Sequence, residues 1–171
     1  MLNTAERKIS LRNYVTPRDL NEIRRLLEDD AFFKPFEIEV ALELVEDGIA
    51  KGTNSDYNFI LAEYEGQTAG YICYGPILVT DRRYDLYWIS VKKELRRKKI
   101  GSLLLVNAEK DIIHLGGAAI YIETSSLQSY QQTRHFYTRH GYHEVARIPD
   151  YYADNDARVV YMKKLQPAAG G

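Results

Sequence analysis

YDLYWISVKKELRRKKIGSLLLVNAEKDIIHLG, residues 84–116, is the stretch that decides the fold. Its β-branched and aromatic start, Tyr84 to Val91, predicts a strand, and the apolar run from Leu103 predicts a helix that Gly116 closes. Between them lies a basic turn, Arg96 to Ser102. Because a helix N-terminus presents unpaired amides and a positive dipole end, this order predicts an anion site that favours phosphate or pyrophosphate.

The size and composition of the chain predict one domain. It has 171 residues, of which 45% are hydrophobic and 27% are charged. Such a chain can bury a single core, and we expect one domain over residues 1–171 with a structured part from about 8 to 165. The tail QPAAGG, residues 166–171, is expected to be disordered.

Charge and cysteine content limit the partners. The formal net charge is -1 and the sequence pI is near 6.4, so no global field favours nucleic acid or an anionic membrane. The single cysteine, Cys73, excludes an intramolecular disulfide, and no apolar stretch approaches the roughly 20 residues of a membrane span. The N-terminus lacks the apolar part of a secretory signal, so a cytoplasmic location is the default expectation.

Hydrophobic periodicity and turn residues divide the chain into elements. The predicted strands are 8–15, 57–64, 68–78, 84–91, 118–125, 143–149 and 158–165, and the predicted helices begin near 17, 35, 103 and 129. The second helix is expected to carry Phe36, Val40, Leu44 and Val45 on its apolar side, and residues 150–157 are expected to form a polar loop. This order predicts a mixed α/β sandwich in which helices cover a central sheet.

Six basic residues crowd into eight positions around the turn. They are Lys92, Lys93, Arg96, Arg97, Lys98 and Lys99. A solvated charged turn and a nucleic-acid patch are both open interpretations, but no stacking aromatic residues are interleaved with the run. Its position at a helix N-terminus favours the phosphate site.

The turn resembles the pyrophosphate motif of the GNAT acetyltransferases, and the resemblance spans about Lys8 to Leu165. The family motif has Arg or Gln, two free positions, Gly, one free position, and Gly or Ala, and it falls here on Arg96, Lys99 and Gly101. The resemblance implies a mostly antiparallel seven-stranded sheet, flanked by about four helices and splayed centrally to hold acetyl-CoA.

The resemblance also implies which residues bind the cofactor. The turn would bind the pyrophosphate through Arg96, Arg97, Lys98, Lys99, Ile100, Gly101 and Ser102. The backbone around Ile89 to Val91 would bind the pantetheine and polarise the acetyl carbonyl. Lys99 stands where the family most often has glycine, and we expect its backbone to be helical or extended, so that lysine costs little.

A second motif, FYTRHGY, supplies Phe136, Tyr137, Gly141 and Tyr142. Tyr137 alone could be a core aromatic residue, but by resemblance it is the general acid that protonates the departing thiolate. Tyr130 and Thr133 stand where the family often has Asn and Ala, and they would line the pantetheine or phosphate side of the cofactor.

The chemistry needs a base because an alkylammonium cannot attack a thioester. Glu123 is the best candidate, since it is an acid within the otherwise apolar strand Ala118 to Ser125, where burial would raise its pKa. It also matches a strand glutamate that serves as base in the ribosomal-protein and N-terminal acetyltransferase branch. A solvated position or a pairing with a basic side chain remains the alternative, and Asp85 is a weaker rival.

No metal site is expected. His135, His140 and His143 do not have a spacing that closes a site with Cys73, and the acids of residues 150–157 lack the pattern of a calcium loop. Those acids, with Tyr151 and Tyr152, would instead form a rim near the acceptor.

The sequence leaves three functions open. The first is direct acetyl transfer to a primary amine of a small molecule or of a peptide or protein N-terminus, by an enzyme that could form a homodimer. The second is a catalytically weak acetyl-CoA-binding module. The third is a nucleic-acid-binding domain that uses the basic turn.

Overall fold

The computed structural model describes residues 9–30 and 32–166. Its strands are β1 (Ile9–Arg12), β2 (Asn58–Tyr64), β3 (Gln67–Pro76), β4 (Arg83–Val91), β5 (Ala119–Ser125), β6 (His143–Ala153) and β7 (Asp156–Lys164). Its helices are α1 (Pro17–Asp29), α2 (Pro35–Lys51), α3 (Ile100–His114) and α4 (Gln131–Arg139). The predicted element order is confirmed, while Lys8 and residues 167–171 of the predicted tail lie outside the described residues.

The strands form a seven-stranded sheet in the order β1-β2-β3-β4-β5-β7-β6. The β4–β5 pair is parallel, and the β1–β2, β2–β3, β5–β7 and β6–β7 pairs are antiparallel. The predicted mixed, mostly antiparallel sheet with four helices is therefore confirmed. Among the described residues, no helix is both long and apolar enough to cross a membrane.

The described chain divides into two compact units. The first unit contains β1, α1, α2, β2, most of β3 and residues 88–110. The second contains residues 76–87 and the chain from Asp111 onward. The basic turn lies in the first unit, whereas Tyr137, Glu123 and Asp85 lie in the second.

The first unit buries one face of each of its helices. Ile23, Leu26 and Leu27 of α1 are buried, as the periodicity predicts. In α2 the predicted apolar side is partly wrong, since Phe36 and Val40 are 64% and 48% exposed. The buried face instead carries Ile38, Ala41, Leu42 and Val45. Ile38, Leu42 and Val45 follow the i, i+4, i+7 spacing of one helix face, and this face packs into the core.

A charge network fixes the start of α1. Asp19 is buried and accepts hydrogen bonds from the backbone N–H and hydroxyl of Thr16, at 2.6 and 2.8 Å. It also pairs with Arg12, whose Nε donates to Glu63 at 2.8 Å. Burial alone would raise the pKa of Asp19, but the hydrogen bonds from Arg12 and Thr16 outweigh it and lower that pKa.

In the second unit, the predicted boundaries of the last two strands differ from the observed ones. The loop predicted at residues 150–157 is wrong, because β6 continues to Ala153 and β7 begins at Asp156. Asp150 adopts a φ of 51°, and its Oδ1 accepts the Asn155 N–H at 2.8 Å. Residues 150–157 are thus part of a β-hairpin rather than a loop, with a register shift in β6 and a tight turn between the strands. Polar residues such as Asp150 tolerate the positive φ that this geometry requires.

Candidate active site

The basic turn leads directly from β4 to the N-terminus of α3. The first helical hydrogen bond of α3 is donated by the Leu103 N–H to the Lys99 carbonyl, at 2.9 Å. Ile100 to Ser102 therefore form the first turn of α3, the end of the helix that carries the positive pole of its dipole. Ile100 is buried and anchors the helix, while the side chains of residues 96–99 are exposed. This is the arrangement that the sequence predicts for an anion site.

The backbone at Lys99 contradicts one expectation. Lys99 has a φ of 60° and Arg97 a φ of 71°, so both occupy the left-handed region. The prediction that Lys99 is helical or extended is wrong. The position needs the conformation that glycine adopts freely, and lysine holds it at a cost of about 1 kcal/mol because its Cβ crowds the backbone.

The side chains of the turn have partners within the first unit. The Arg96 guanidinium pairs through Nη2 with Asp30 at the end of α1, and its Nε lies 3.4 Å from the Val91 carbonyl oxygen. The Lys98 ammonium lies 5.3 Å from the centroid of the Tyr64 ring. An anion bound at this turn would therefore compete with Asp30 for Arg96.

The predicted pantetheine strand, Ile89 to Val91, packs closely on β3. The Lys92 N–H donates to the Ala69 carbonyl at 2.8 Å, and a Cβ added to Gly70 would lie 2.7 Å from the Ser90 carbonyl oxygen. Ile89 and Val91 are half-buried. The parallel β4–β5 ladder covers Arg83 to Leu86, so β4 extends beyond it by five residues.

Tyr137 lies in an aromatic cluster of the second unit. Its ring is 4% exposed, and its centroid lies 5.6, 6.1 and 6.2 Å from those of Phe136, Tyr142 and Tyr161. Burial raises the pKa of Tyr137 well above that of an exposed phenol. The phenol therefore keeps its proton throughout the physiological range. Gly141, with a φ of 84°, ends α4 as predicted.

The segment before α4 places the two weaker cofactor candidates. Tyr130 ends a short 3₁₀ turn that begins at Gln128, Thr133 lies in the first turn of α4, and both are half-buried. Arg134, which the sequence did not single out, donates from Nη1 to the carbonyls of Ser125 and Leu127 at 2.7 and 2.9 Å. It therefore fixes α4 to the end of β5.

Glu123 does not have the buried environment expected of it. Its side chain is 38% exposed, and its Oε1 pairs with Nη2 of Arg158 on β7. The expected burial is wrong because alternate residues of β5 face opposite sides, and Glu123 falls on the open side. The alternative, a pairing with a basic side chain, is what the structure shows.

Asp85 lies on the same face of the sheet as Tyr121 and Glu123, and this face is called the open face because Glu123 is exposed on it. Asp85 is the cross-strand partner of Tyr121, which is two residues from Glu123 on β5. Burial raises the pKa of Asp85, and the positive charge of Arg158 partly opposes that rise. Asp85 therefore holds a proton more readily than an exposed aspartate does.

Cys73 has no access to a reacting group. It is fully buried on β3, and burial raises the pKa of its thiol. In the part of the chain that the structure describes, no three His, Cys, Asp or Glu side chains are grouped so as to hold a metal ion. His140 instead contacts the Phe136 carbonyl through Nδ1 at 2.7 Å.

The fold, together with comparisons to known proteins, defines an acyltransferase class. The sequence matches the acetyltransferase (GNAT) domain family over residues 55–144, which is more than half of the chain. The chain belongs to the GNAT family and is an acetyl-CoA-dependent acyltransferase. It is 31% identical to an uncharacterized N-acetyltransferase of Methanocaldococcus jannaschii over 112 aligned residues. The aligned region covers 66% of this chain and 69% of that protein.

Solved structures agree with this assignment. A GNAT-family acetyltransferase from Desulfovibrio desulfuricans is 35% identical, with a TM-score of 0.90 over 92% of this chain and 99% of that one. An aminoglycoside 6'-N-acetyltransferase in complex with coenzyme A is 20% identical, with a TM-score of 0.75 over 95% and 99% of the two chains. The Escherichia coli ribosomal-protein-S18-alanine N-acetyltransferase is 15% identical, with a TM-score of 0.75 over 95% and 97%. At such identities the last two structures show a shared fold alone.

Proposed function

We propose that this protein transfers the acetyl group of acetyl-CoA to a primary amine by direct attack in a ternary complex. The buried phenol of Tyr137, at the motif position of the family acid, is the observation that carries the proposal. In the step, the amine nitrogen bonds to the acetyl carbon while the carbon–sulfur bond breaks. A carboxylate first takes one proton from the ammonium, so that the neutral amine can attack. The phenol then protonates the departing thiolate, and the second proton that the nitrogen loses as the amide forms restores the phenol.

The basic turn would hold the pyrophosphate of acetyl-CoA. The amides at the start of α3 suit an anion, and the exposed cations from Arg96 to Lys99 add attraction. The left-handed backbone at Arg97 and Lys99 supports this role, because a turn that keeps such a conformation without glycine holds a defined geometry. Ile89, Val91, Tyr130 and Thr133 remain proposed contacts of the pantetheine arm.

Tyr137 can act as the acid despite its raised pKa. Proton transfer depends on the difference between the proton affinities of donor and acceptor. A thiolate that develops in the same apolar surroundings also loses hydration, which raises its own proton affinity. The fully protonated phenol is then always ready to donate.

Direct attack agrees with the position of Cys73. An acyl-enzyme would need a thiolate that meets the thioester, but burial holds this thiol in its neutral form on a strand inside the first unit. The amine must then attack the thioester itself.

The proton acceptor would be Glu123 or Asp85. Both lie on the open face of the second unit, and together with Arg158 they leave one formal negative charge in excess. That excess suits an acceptor that arrives as an ammonium, on a small molecule or at a peptide or protein N-terminus. Tyr151 and Tyr152, both exposed on β6, would give the acceptor an aromatic neighbour. A cytoplasmic location and a homodimer belong to the same proposal.

The test is release of free coenzyme A thiol by the purified protein, measured against a panel of amines and peptides. We expect thiol release only when an amine is present, and at least a 100-fold lower kcat for Tyr137→Phe. Binding of coenzyme A without turnover on any amine would support a catalytically weak binding module. Oligonucleotide binding that coenzyme A fails to displace would support the nucleic-acid function.

A further inference from the structure

Arg158 on β7 connects the groups of the open face, and sequence analysis assigned it no role. Its Nη2 binds the Glu123 carboxylate, and its Nη1 lies 3.1 Å from the hydroxyl of Tyr151 on β6. The guanidinium carbon also lies 4.9 Å from the centroid of the Tyr151 ring. One arginine therefore links β5, β6 and β7 through contacts of three kinds.

The register of the sheet brings Asp85 into the range of the same guanidinium. Arg158 is the cross-strand partner of Ser125, two residues from Glu123, and Asp85 is the partner of Tyr121, two residues on the other side. The positive charge of Arg158 acts on Asp85, whereas its ion pair is with Glu123. Glu123 is thus in direct contact with Arg158, whereas Asp85 interacts with it only through the field of its charge.

One donor of Arg158 indicates that the residue does more than stabilise the fold. Its Nε is buried and has no hydrogen-bond partner among the described residues. Leaving a buried donor unpaired costs about 1–3 kcal/mol, so an arginine kept only for stability would be expected to use it. The side chain is 24% exposed, which leaves its ion pair within reach of a ligand.

We propose that Arg158 is a positioning residue that gives the two carboxylates separate tasks. It orients the Glu123 carboxylate as a docking group for the acceptor ammonium, and it leaves Asp85 to take the ammonium proton. The assignment rests on the proposed N-acetyltransferase function and refines it. Glu123, by contrast, already has one carboxylate oxygen engaged with the guanidinium of Arg158.

Proton transfer by Asp85 depends on the groups that face it. On β5 these are Tyr121 and Glu123, and on β7 the group is Arg158, which in turn contacts Tyr151. Of these, only Arg158 is cationic. Removing that charge must therefore make the Asp85 carboxylate hold its proton more strongly.

The test compares Arg158→Gln with Arg158→Lys, Glu123→Gln and Asp85→Asn in the full chain. With any amine that the wild type acetylates, Asp85→Asn should lower kcat about 100-fold and remove the acidic limb of the pH profile. Glu123→Gln should keep that limb and raise KM about tenfold, the effect of losing one charged hydrogen bond. Arg158→Gln should move the limb to higher pH by roughly 1 unit, and Arg158→Lys should restore most of the shift.

The opposite pattern would overturn the proposal. If Glu123→Gln removes the acidic limb and Asp85→Asn keeps it, Glu123 takes the proton and the division of tasks is wrong. A direct titration of the Asp85 carboxyl by ¹³C NMR separates this question from activity. An unmoved titration in Arg158→Gln would reject the coupling even in a protein that acetylates no amine, whereas a wild type without turnover would reject only the proposed function.

Discussion

The aromatic cluster around Tyr137 and the basic turn at residues 96–102 are organised by opposite means. Tyr137 is buried, and packing against Phe136, Tyr142 and Tyr161 fixes its position. The side chains of residues 96–99 are exposed, so the turn is fixed by its backbone, which includes two positive φ angles. A buried site is therefore sensitive to the loss of a single side chain, whereas an exposed turn distributes its effect over several amides and charges.

The largest effect should follow from Tyr137→Phe, which removes the proton donor but keeps the ring. We expect kcat to fall by at least about 100-fold, while the affinity for coenzyme A and the midpoint of thermal unfolding change little. Steady-state kinetics and calorimetric titration with coenzyme A measure the two effects. Equal kcat values in the two proteins would reduce Tyr137 to a packing residue.

The same hydroxyl should affect stability in alkali. The pKa of Tyr137 is raised in the folded state, so the unfolded chain loses this proton first, near pH 10, and stability falls as pH rises above that value. One such group lowers the free energy of unfolding by about 1.4 kcal/mol at pH 11. Urea unfolding at pH 8 and pH 11 should therefore show a smaller alkaline loss for Tyr137→Phe than for wild type. Parallel losses would show that the phenol titrates normally in the fold.

Lys99→Gly should change stability less, and in the opposite direction. Glycine removes the strain of the left-handed backbone but adds freedom to the unfolded chain, so we expect a net gain of at most about 0.5 kcal/mol. Lys98→Gly is the matched control, because Lys98 is not among the residues with positive φ and should only lose stability. Urea unfolding of both variants measures the difference, and similar losses in both would mean that position 99 carries no strain.

The smallest effect should come from Arg96→Ala. The Arg96 side chain is exposed and already paired with Asp30, so its net contribution to anion binding is limited by that competition. We expect two- to threefold weaker coenzyme A binding, and an effect that shrinks further at high salt. Titration at low and high salt measures it. A loss of more than about 30-fold would make Arg96, rather than the amides, the main pyrophosphate contact.

The same contrast explains what the sequence could predict. Element order and the place of Tyr137 followed from local patterns: apolar spacing, a glycine stop and a motif within one helix. The pairing of Glu123 with Arg158 could not follow, because it depends on the register that sets Ser125 opposite Arg158 across 33 positions of chain. The positive φ of Lys99 could not be predicted for a different reason. The turn between β4 and α3 requires this backbone conformation, which lysine does not favour on its own.

The outer strand β6 has a consequence for the behaviour of the protein at high concentration. Each of its eleven residues is exposed, and an edge strand of that length could recruit strands from other molecules. Pro149 lacks an N–H to offer, and the pairing of β6 with β7 shifts register between Glu144 and Ala146 and between Ile148 and Ala153. An ion pair also joins Glu144 to Arg147 at 2.9 Å. These features make β6 a poor template for aggregation, so the hairpin can remain open to solvent without nucleating fibres.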